Sequence, residues 1–217
     1  FLNGRNTGAG SGGMGEGKGV RRGLLALAAS ALLLAGLAPA GATSSMAVGR
    51  QTSQPIGHYE FCKANPAECT VRPRDRGALV LTDQLWTAIE DINRSVNNAV
   101  APMSDRDIYG LDEVWAYPED GVGDCEDYAL EKRRQLNRVG ISLSNLLITV
   151  VRKQDGEGHA VLTVRTTRGD FILDNLSDKV KPWHHTGYKY LKRQASNHTG
   201  RWVNLLEDQN MLVGAVE

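Results

Sequence analysis

The chain has 217 residues, which is enough for one folded domain with at most a small appended subdomain. It contains 25 basic and 25 acidic residues, so its formal net charge at pH 7 is zero. This balance does not indicate nucleic-acid binding, which requires a clustered basic surface.

The first 42 residues have the organisation of a non-native leader followed by a secretory signal peptide. Residues 1–13 do not begin with Met and are rich in Gly, Ser and Asn. After Met14 come a basic region, an apolar run over residues 24–37 and small residues around Ala40. The run is shorter than the ~20 residues that span a bilayer, which favours a cleaved signal over a membrane anchor. We therefore expect export to the periplasm, with cleavage after Ala40 or Ala42, and a mature chain with 21 basic and 24 acidic residues.

Residues 43–58 are rich in Ser, Thr, Gly and Gln, and we predict that they form a flexible lead-in to a domain over residues 59–217. The domain opens with two cysteines close together, Cys62 and Cys69. In an oxidising compartment this pair predicts a local disulfide, which would leave Cys125 as the odd cysteine. Two unpaired thiols or half of a metal site are the alternatives, although no further Cys or nearby His completes four ligands.

Two helices and then a set of strands are predicted along the domain. Apolar residues between Leu81 and Val96 recur at helical spacing, which predicts a helix over residues 82–99. A second helix is predicted over residues 125–139, with Gly140 as its stop. The pattern then changes to three β-rich runs, at residues 146–152, 159–166 and 170–174. A helix followed by an antiparallel meander predicts an α+β domain. The remaining tail is not assigned.

Residues 123–128, GDCEDY, place Cys125 between carboxylates at the point where a loop becomes the second helix. A buried structural cysteine is rarely surrounded by acids. At a helix N-terminus the backbone N–H groups and the helix dipole favour a thiolate, whereas the flanking acids raise the pKa of the thiol. We therefore expect either a cation that offsets these acids or a histidine supplied from elsewhere in the chain.

A nucleophilic cysteine needs a general base, and the base needs an orienting partner. His159 begins the second predicted strand and Asp174 ends the third, so the two residues lie at the same end of one hairpin. If the start of the second helix packs against that end, Cys125, His159 and Asp174 form a Cys–His–Asp triad. Taken singly, each residue has an ordinary alternative, namely a core thiol, a structural histidine and a turn-capping aspartate. Their order along the chain favours the triad.

These motifs resemble a known family. Residues 115–119 (WAYPE), the GDCEDY hexapeptide with Lys132 on the same helix, residues 158–162 (GHAVL) and residues 172–175 (ILDN) look like the bacterial transglutaminase-like cysteine proteinases of the LapG type. The resemblance covers about residues 59–205, nearly the whole predicted mature chain. It implies a papain-like, transglutaminase-like core, in which a helix that carries the cysteine packs on an antiparallel sheet that carries the histidine and the aspartate.

By this resemblance the protein is a periplasmic cysteine endopeptidase. Cys125 would be the nucleophile, His159 the general base and then the acid, and Asp174 the orienting carboxylate. LapG-type enzymes cleave a large surface adhesin and are controlled by an inner-membrane receptor, so these are the implied partners. The same triad would also serve a transglutaminase-like acyltransferase or an amidase. A non-catalytic periplasmic binding module is a third alternative, which the presence of all three triad residues disfavours.

In LapG-type enzymes the acids beside the cysteine bind calcium, and these acids match Asp124 and Glu126 here. Asp127 is a further candidate ligand. A hard cation takes oxygen ligands and would neutralise the carboxylates beside the thiol. Capping of the helix by the same acids, with no metal, is the alternative.

Overall fold

The computed structural model describes residues 7–10, 12–13 and 45–206. The helices are α1 (Ile56–Ala64), α2 (Pro66–Cys69), α3 (Asp83–Ala99), α4 (Asp105–Tyr109) and α5 (Cys125–Arg138). The strands are β1 (Val48–Thr52), β2 (Ala101–Pro102), β3 (Val122–Gly123), β4 (Leu146–Arg152), β5 (Gly158–Thr166), β6 (Gly169–Asp174), β7 (Ser177–Pro182), β8 (Lys189–Ala195) and β9 (His198–Leu205).

Seven strands form one sheet in the order β1-β9-β8-β4-β5-β6-β7, and every neighbouring pair is antiparallel. Strands β2 and β3 form a separate short parallel pair. The predicted meander is confirmed, because β4, β5 and β6 are consecutive neighbours in the predicted segments. Apolar side chains of β5 contribute to core clusters on both faces of the sheet, which explains why this strand reads as a nearly continuous apolar run.

Helix α5 is the central helix of the domain, and it packs between α3 and the sheet. Helix α3 is capped by Thr82, whose side chain accepts a hydrogen bond from the Leu85 N–H at 3.2 Å. Its apolar stripe includes Ile89 and Val96, both buried. Because α5 is covered on two sides, even its charged residues from Glu131 to Arg133 are buried. Both predicted helices are therefore confirmed, and their packing fixes the start of α5 against β5.

The predicted disulfide is present and joins α1 to α2. The Cα atoms of Cys62 and Cys69 are 5.5 Å apart. Beside the bridge, His58 is buried and its ring packs against the rings of Trp115 and Trp202. The Trp202 Nε1–H donates a hydrogen bond to His58 Nδ1 at 3.1 Å. The bridge thus anchors α1 to the aromatic part of the core.

The segment predicted as a flexible lead-in differs from the prediction. Strand β1 pairs with β9 at the edge of the sheet, and α1 already begins at Ile56. Met46 is buried, and its N–H donates to Asp170 Oδ2 at 2.9 Å. These two residues are 124 positions apart, so the local composition of residues 43–58 could not reveal the contact.

Of the leader and signal peptide predicted over residues 1–42, the structure describes only residues 7–10 and 12–13. The apolar run at residues 24–37 lies outside the described residues, so export and cleavage stay predictions. Within the described part of the chain, no helix is both long and apolar enough to cross a membrane.

Candidate active site

Cys125 is the first residue of α5, as predicted. The chain enters the helix through Gly123, where a Cβ atom would lie only 2.7 Å from Asp127 Oδ2, so no larger residue fits without a shift. The Ala160 N–H of β5 donates to Cys125 Sγ at 3.3 Å. The sulfur therefore lies where the N-terminus of the helix meets the sheet.

The sheet brings His159 and Asp174 together. Nε2 of His159 and Oδ1 of Asp174 are 2.9 Å apart, and both side chains are buried. The two residues are not directly opposite, because Leu173 pairs with Leu162 and thus sets Asp174 two positions away from His159 in the register. Such diagonal neighbours share a face of the sheet, and a side chain as long as histidine bridges the gap.

Two further donors hold the Asp174 carboxylate. The Tyr188 hydroxyl donates to Oδ2 at 2.7 Å, and the Leu176 N–H donates to Oδ1 at 3.0 Å. Burial opposes ionisation of Asp174, but the hydrogen bonds from His159 and Tyr188 outweigh it and lower the pKa of this carboxyl. The Asp174 carboxylate is therefore anionic at neutral pH and fixed in orientation. Tyr188 was not predicted, because it lies in the unassigned tail and no motif marks it.

The thiol of Cys125 donates a hydrogen bond to Glu126 Oε2 at 3.0 Å. Burial, followed by the charge and the hydrogen bond of Glu126, raises the pKa of Cys125 well above its usual value. Burial and the charge of Asp124 in turn raise the pKa of Glu126 well above its usual value. The flanking acids thus disfavour the thiolate in the folded chain, as the sequence predicts, and in this arrangement the thiol keeps its proton.

A second group of acids lies beside the first. Carboxylate oxygens of Asp105, Asp124 and Asp127 lie within 4.8 Å of one another. The Oδ1 atoms of Asp105 and Asp124 are buried, and neither has a hydrogen-bond partner among the residues that the structure describes. Asp127 accepts a hydrogen bond from the Ala116 N–H at 2.8 Å, yet burial and the charges of Asp124 and Asp105 raise its pKa to about 7. Three acids held this closely repel one another.

The three residues predicted as metal ligands are divided between these two groups. Asp124 belongs to both, Asp127 lies with Asp105, and Glu126 lies with Cys125. Asp105 was not predicted, because its local context is that of a helix start: the side chain of Ser104 caps α4. Its approach to Asp124 depends on the pairing of β2 with β3, which no local pattern indicates.

Cys125 and His159 both line two adjoining cavities that open to solvent, with volumes of about 680 and 550 Å³. Met103 and Leu176, both exposed, border the first cavity. Trp115 borders the second. The sulfur is therefore reachable from a cleft large enough for several residues of a peptide.

The sequence matches the family of bacterial transglutaminase-like cysteine proteinases (BTLCP) over residues 48–210. The chain belongs to this family. The predicted family, the transglutaminase-like α+β fold and the cysteine peptidase activity are thereby confirmed. No curated protein matches the chain significantly.

Solved structures of LapG from Legionella pneumophila are similar to this member of the family. The calcium-bound LapG is 26% identical over 58% of this chain and 77% of that chain, with a TM-score of 0.48. Another LapG structure is 27% identical over 60% and 74% of the two chains, with a TM-score of 0.47. The EGTA-treated LapG is 26% identical over 59% and 74%, also with a TM-score of 0.47.

Proposed function

We propose that this cysteine peptidase is an endopeptidase with Cys125, His159 and Asp174 as its catalytic triad. The observation that carries the proposal is the 2.9 Å hydrogen bond between His159 and Asp174, beside a cysteine at the start of a helix. A histidine oriented by a buried carboxylate is the base that a cysteine nucleophile needs. Cys125 and His159 also line the same open cleft, which suits a bond within a peptide chain.

In the proposed reaction His159 removes the thiol proton, and Cys125 Sγ attacks the carbonyl carbon of the scissile peptide bond. The oxyanion that forms accepts a hydrogen bond from the Cys125 backbone N–H at the helix N-terminus. His159 then gives its proton to the amine nitrogen as the C–N bond breaks, which leaves a thioester on the sulfur. A water molecule gives a proton to His159 and its oxygen attacks the thioester. The C–S bond then breaks, the acid product leaves, and His159 returns the proton to the sulfur.

We further propose that the acids beside Cys125 hold a calcium ion. Asp105, Asp124 and Asp127 fit such an ion, because their oxygens are close together and two of the carboxylates have a buried oxygen without a partner among the described residues. Oxygen ligands, carboxylates above all, are those that calcium prefers. When bound, the ion supplies positive charge that offsets these acids and favours the neighbouring thiolate. Glu126 borders this site through Asp124 and holds the thiol by a hydrogen bond.

Alkylation of Cys125 by iodoacetamide near pH 7 tests the triad. We expect His159→Ala to slow the alkylation by about tenfold or more, because the base that generates the thiolate is lost. His185→Ala changes an exposed histidine on another segment and is the matched control. Equal rates in wild type and His159→Ala would remove His159 from the role of base.

Chelation tests the ion. With excess EGTA we expect a lower melting temperature and a lower peptidase activity than with calcium, because the repulsion among the acids is then uncompensated. Asp124→Asn should respond weakly to calcium, whereas Asp120→Asn, an exposed acid in the loop before α5, should respond as wild type does. Identical melting and activity in EGTA and in calcium would exclude the ion.

Hydrolysis and acyl transfer differ in the nucleophile that takes the acyl group from the thioester, which is water in the first case and an amine in the second. Mass spectrometry of peptide products, formed with and without an added primary amine, separates them. We expect free carboxylic acid in both cases. A product that carries the amine would instead indicate a transglutaminase-like acyltransferase.

For the substrate and setting, we propose an exported periplasmic enzyme that cleaves a surface adhesin under the control of an inner-membrane receptor. The support is the predicted signal peptide, the resemblance of the motifs and the Cys62–Cys69 disulfide, which is typical of oxidising compartments. Comparison of the surface proteins of a deletion strain and its parent tests the substrate. A surface protein that is longer in the deletion strain is expected, and identical surface proteins would contradict the proposal.

A further inference from the structure

Lys132 lies on α5, seven positions after Cys125, and only 1% of its surface is exposed. Its Nζ atom is buried and has no hydrogen-bond partner among the described residues. The centre of the Tyr128 ring lies 5.7 Å from Nζ, which provides a cation–π contact at the limit of its range. Lysine is rarely buried in this way, because an ammonium loses its hydration there. The sequence motifs include Lys132, yet the proposed reaction does not use it.

The charges that act on Lys132 are those of Asp174 and Asp178, on either side of the turn between β6 and β7. Burial lowers the pKa of Lys132 to about 7, whereas the two carboxylates favour its charged form. Helix α3, which packs on α5 and β7, contributes amides here. The Asn97 side chain donates to the Asp174 carbonyl at 3.1 Å and to Asp178 Oδ1 at 2.9 Å, and Asn93 donates to the Asp178 carbonyl at 3.1 Å. The turn that carries Asp174 is thus held by the neutral amides of α3, whereas Lys132, which makes no hydrogen bond to it, acts on its carboxylates as a charge at longer range.

This arrangement relates the lysine to the active site. Asp174 accepts hydrogen bonds from His159, Tyr188 and the backbone of Leu176, and the last two of these donors are neutral. When it is protonated, Lys132 supplies a positive charge that acts on the same carboxylate from the buried side of α5. It does so from α5, the helix that begins at Cys125.

We propose that Lys132 is a positioning residue for the active site: its buried ammonium balances the carboxylates of Asp174 and Asp178 and so holds the group that orients His159. The inference rests on the triad proposed above and adds a fourth residue to it. Lys132 contacts neither substrate nor sulfur in this scheme, and it acts through Asp174.

The test compares Lys132→Met, which keeps the length of the side chain and removes its charge, with wild type in a calcium buffer. We expect an unchanged or higher melting temperature, because an apolar side chain often replaces a buried charge without loss of stability. We expect kcat to fall by about tenfold with KM unchanged. The pH profiles of kcat/KM and of Cys125 alkylation should move to higher pH by roughly half a unit, since loss of a positive charge beside the Asp174–His159 pair favours the protonated imidazole.

Two variants complete the comparison. Lys132→Arg keeps the charge and should return the pH profiles toward their wild-type position. Lys63→Met removes an exposed lysine on α1 and should change neither profile. The shift in pH separates this role from a purely structural one, which would scale the rate and leave the profile in place.

Three results would overturn the inference. One is a Lys132→Met enzyme with wild-type kcat and pH profiles. Another is a loss of activity that only follows the fraction of unfolded protein. If Lys132→Met does not fold, Lys132→Gln takes its place, and failure of both to fold shows that the lysine serves the fold alone. Alkylation requires no substrate, so it still decides this inference if the wild type cleaves no peptide and the endopeptidase proposal fails.

Discussion

Reduction of the Cys62–Cys69 disulfide is expected to destabilise the domain by about 2.5 kcal/mol. The bridge joins residues seven positions apart and so closes a loop of eight residues. Joining the ends of such a loop removes about 8 cal/mol/K of conformational entropy from the unfolded chain, which is equivalent to about 2.5 kcal/mol at 25 °C. For a folded region of this size, we expect the melting temperature to fall by about 5–10 °C.

Urea unfolding of the oxidised and the reduced protein, followed by tryptophan fluorescence, measures the effect. Trp115 and Trp202 are buried beside the bridge and report on this part of the core. The Cys62→Ala/Cys69→Ala variant should match the reduced protein, and a Cys125→Ala variant controls for the effect of reductant on the free thiol. The reduced protein should unfold at a lower midpoint. Equal midpoints would contradict this expectation, because they would mean that the unfolded chain gains no freedom when the bridge opens.

Three further predictions concern residues around the site. In Gly57→Ala the new Cβ would lie 2.4 Å from Trp115 Cδ1, so we expect a loss of about 1–3 kcal/mol in urea unfolding. Tyr188→Phe removes the 2.7 Å hydrogen bond to Asp174, and kcat/KM of the folded variant should fall by about tenfold, which is about 1.4 kcal/mol. Burial lowers the pKa of His58 from 6.5 to about 4, so the unfolded chain binds this proton more readily. The contribution of His58 to the free energy of unfolding is therefore largest above pH 6.5, and it falls by roughly 3 kcal/mol as the pH drops to 4.

Each of these predictions has a control. Gly158→Ala adds a Cβ where no atom lies within 4 Å, and it should unfold as wild type does. Tyr59→Phe changes an exposed tyrosine and should keep wild-type kcat/KM. His58→Gln should show a shallower dependence of stability on pH between 6.5 and 4. A prediction is wrong if Gly57→Ala unfolds like Gly158→Ala, if Tyr188→Phe reacts like Tyr59→Phe, or if His58→Gln has the same pH dependence as wild type.

The parts of the fold that the sequence predicts are those encoded by local patterns. The stripe from Leu85 to Val96 and the stop at Gly140 are local signals, and both helices lie where these signals place them. The strands of the meander are likewise marked by their composition. Strand β1 was missed because its stability comes from β9 and from the contact of Met46 with Asp170, which a local pattern cannot show.

The same distinction holds for the candidate site. The hexapeptide marks Cys125, and the ends of two neighbouring strands place His159 and Asp174 on one side of the sheet. Asp105 and Tyr188 could not be predicted, because each reaches the site through tertiary contacts and lies in an ordinary local context. Local sequence patterns thus predict the elements that carry the site, whereas its further members depend on how the loops between those elements are folded.

The proposed triad is divided between helix α5 and the strand pair β5–β6. His159 and Asp174 lie on paired strands and are joined by a hydrogen bond, whereas Cys125 is fixed at the end of α5. The distance between the nucleophile and its base therefore depends on how α5 packs on the sheet. A displacement of this helix by one ångström relative to the sheet would slow the reaction by about a hundredfold without changing a catalytic side chain. The rate is thus sensitive to any substitution that changes the packing of one helix on one sheet, even far from the cleft.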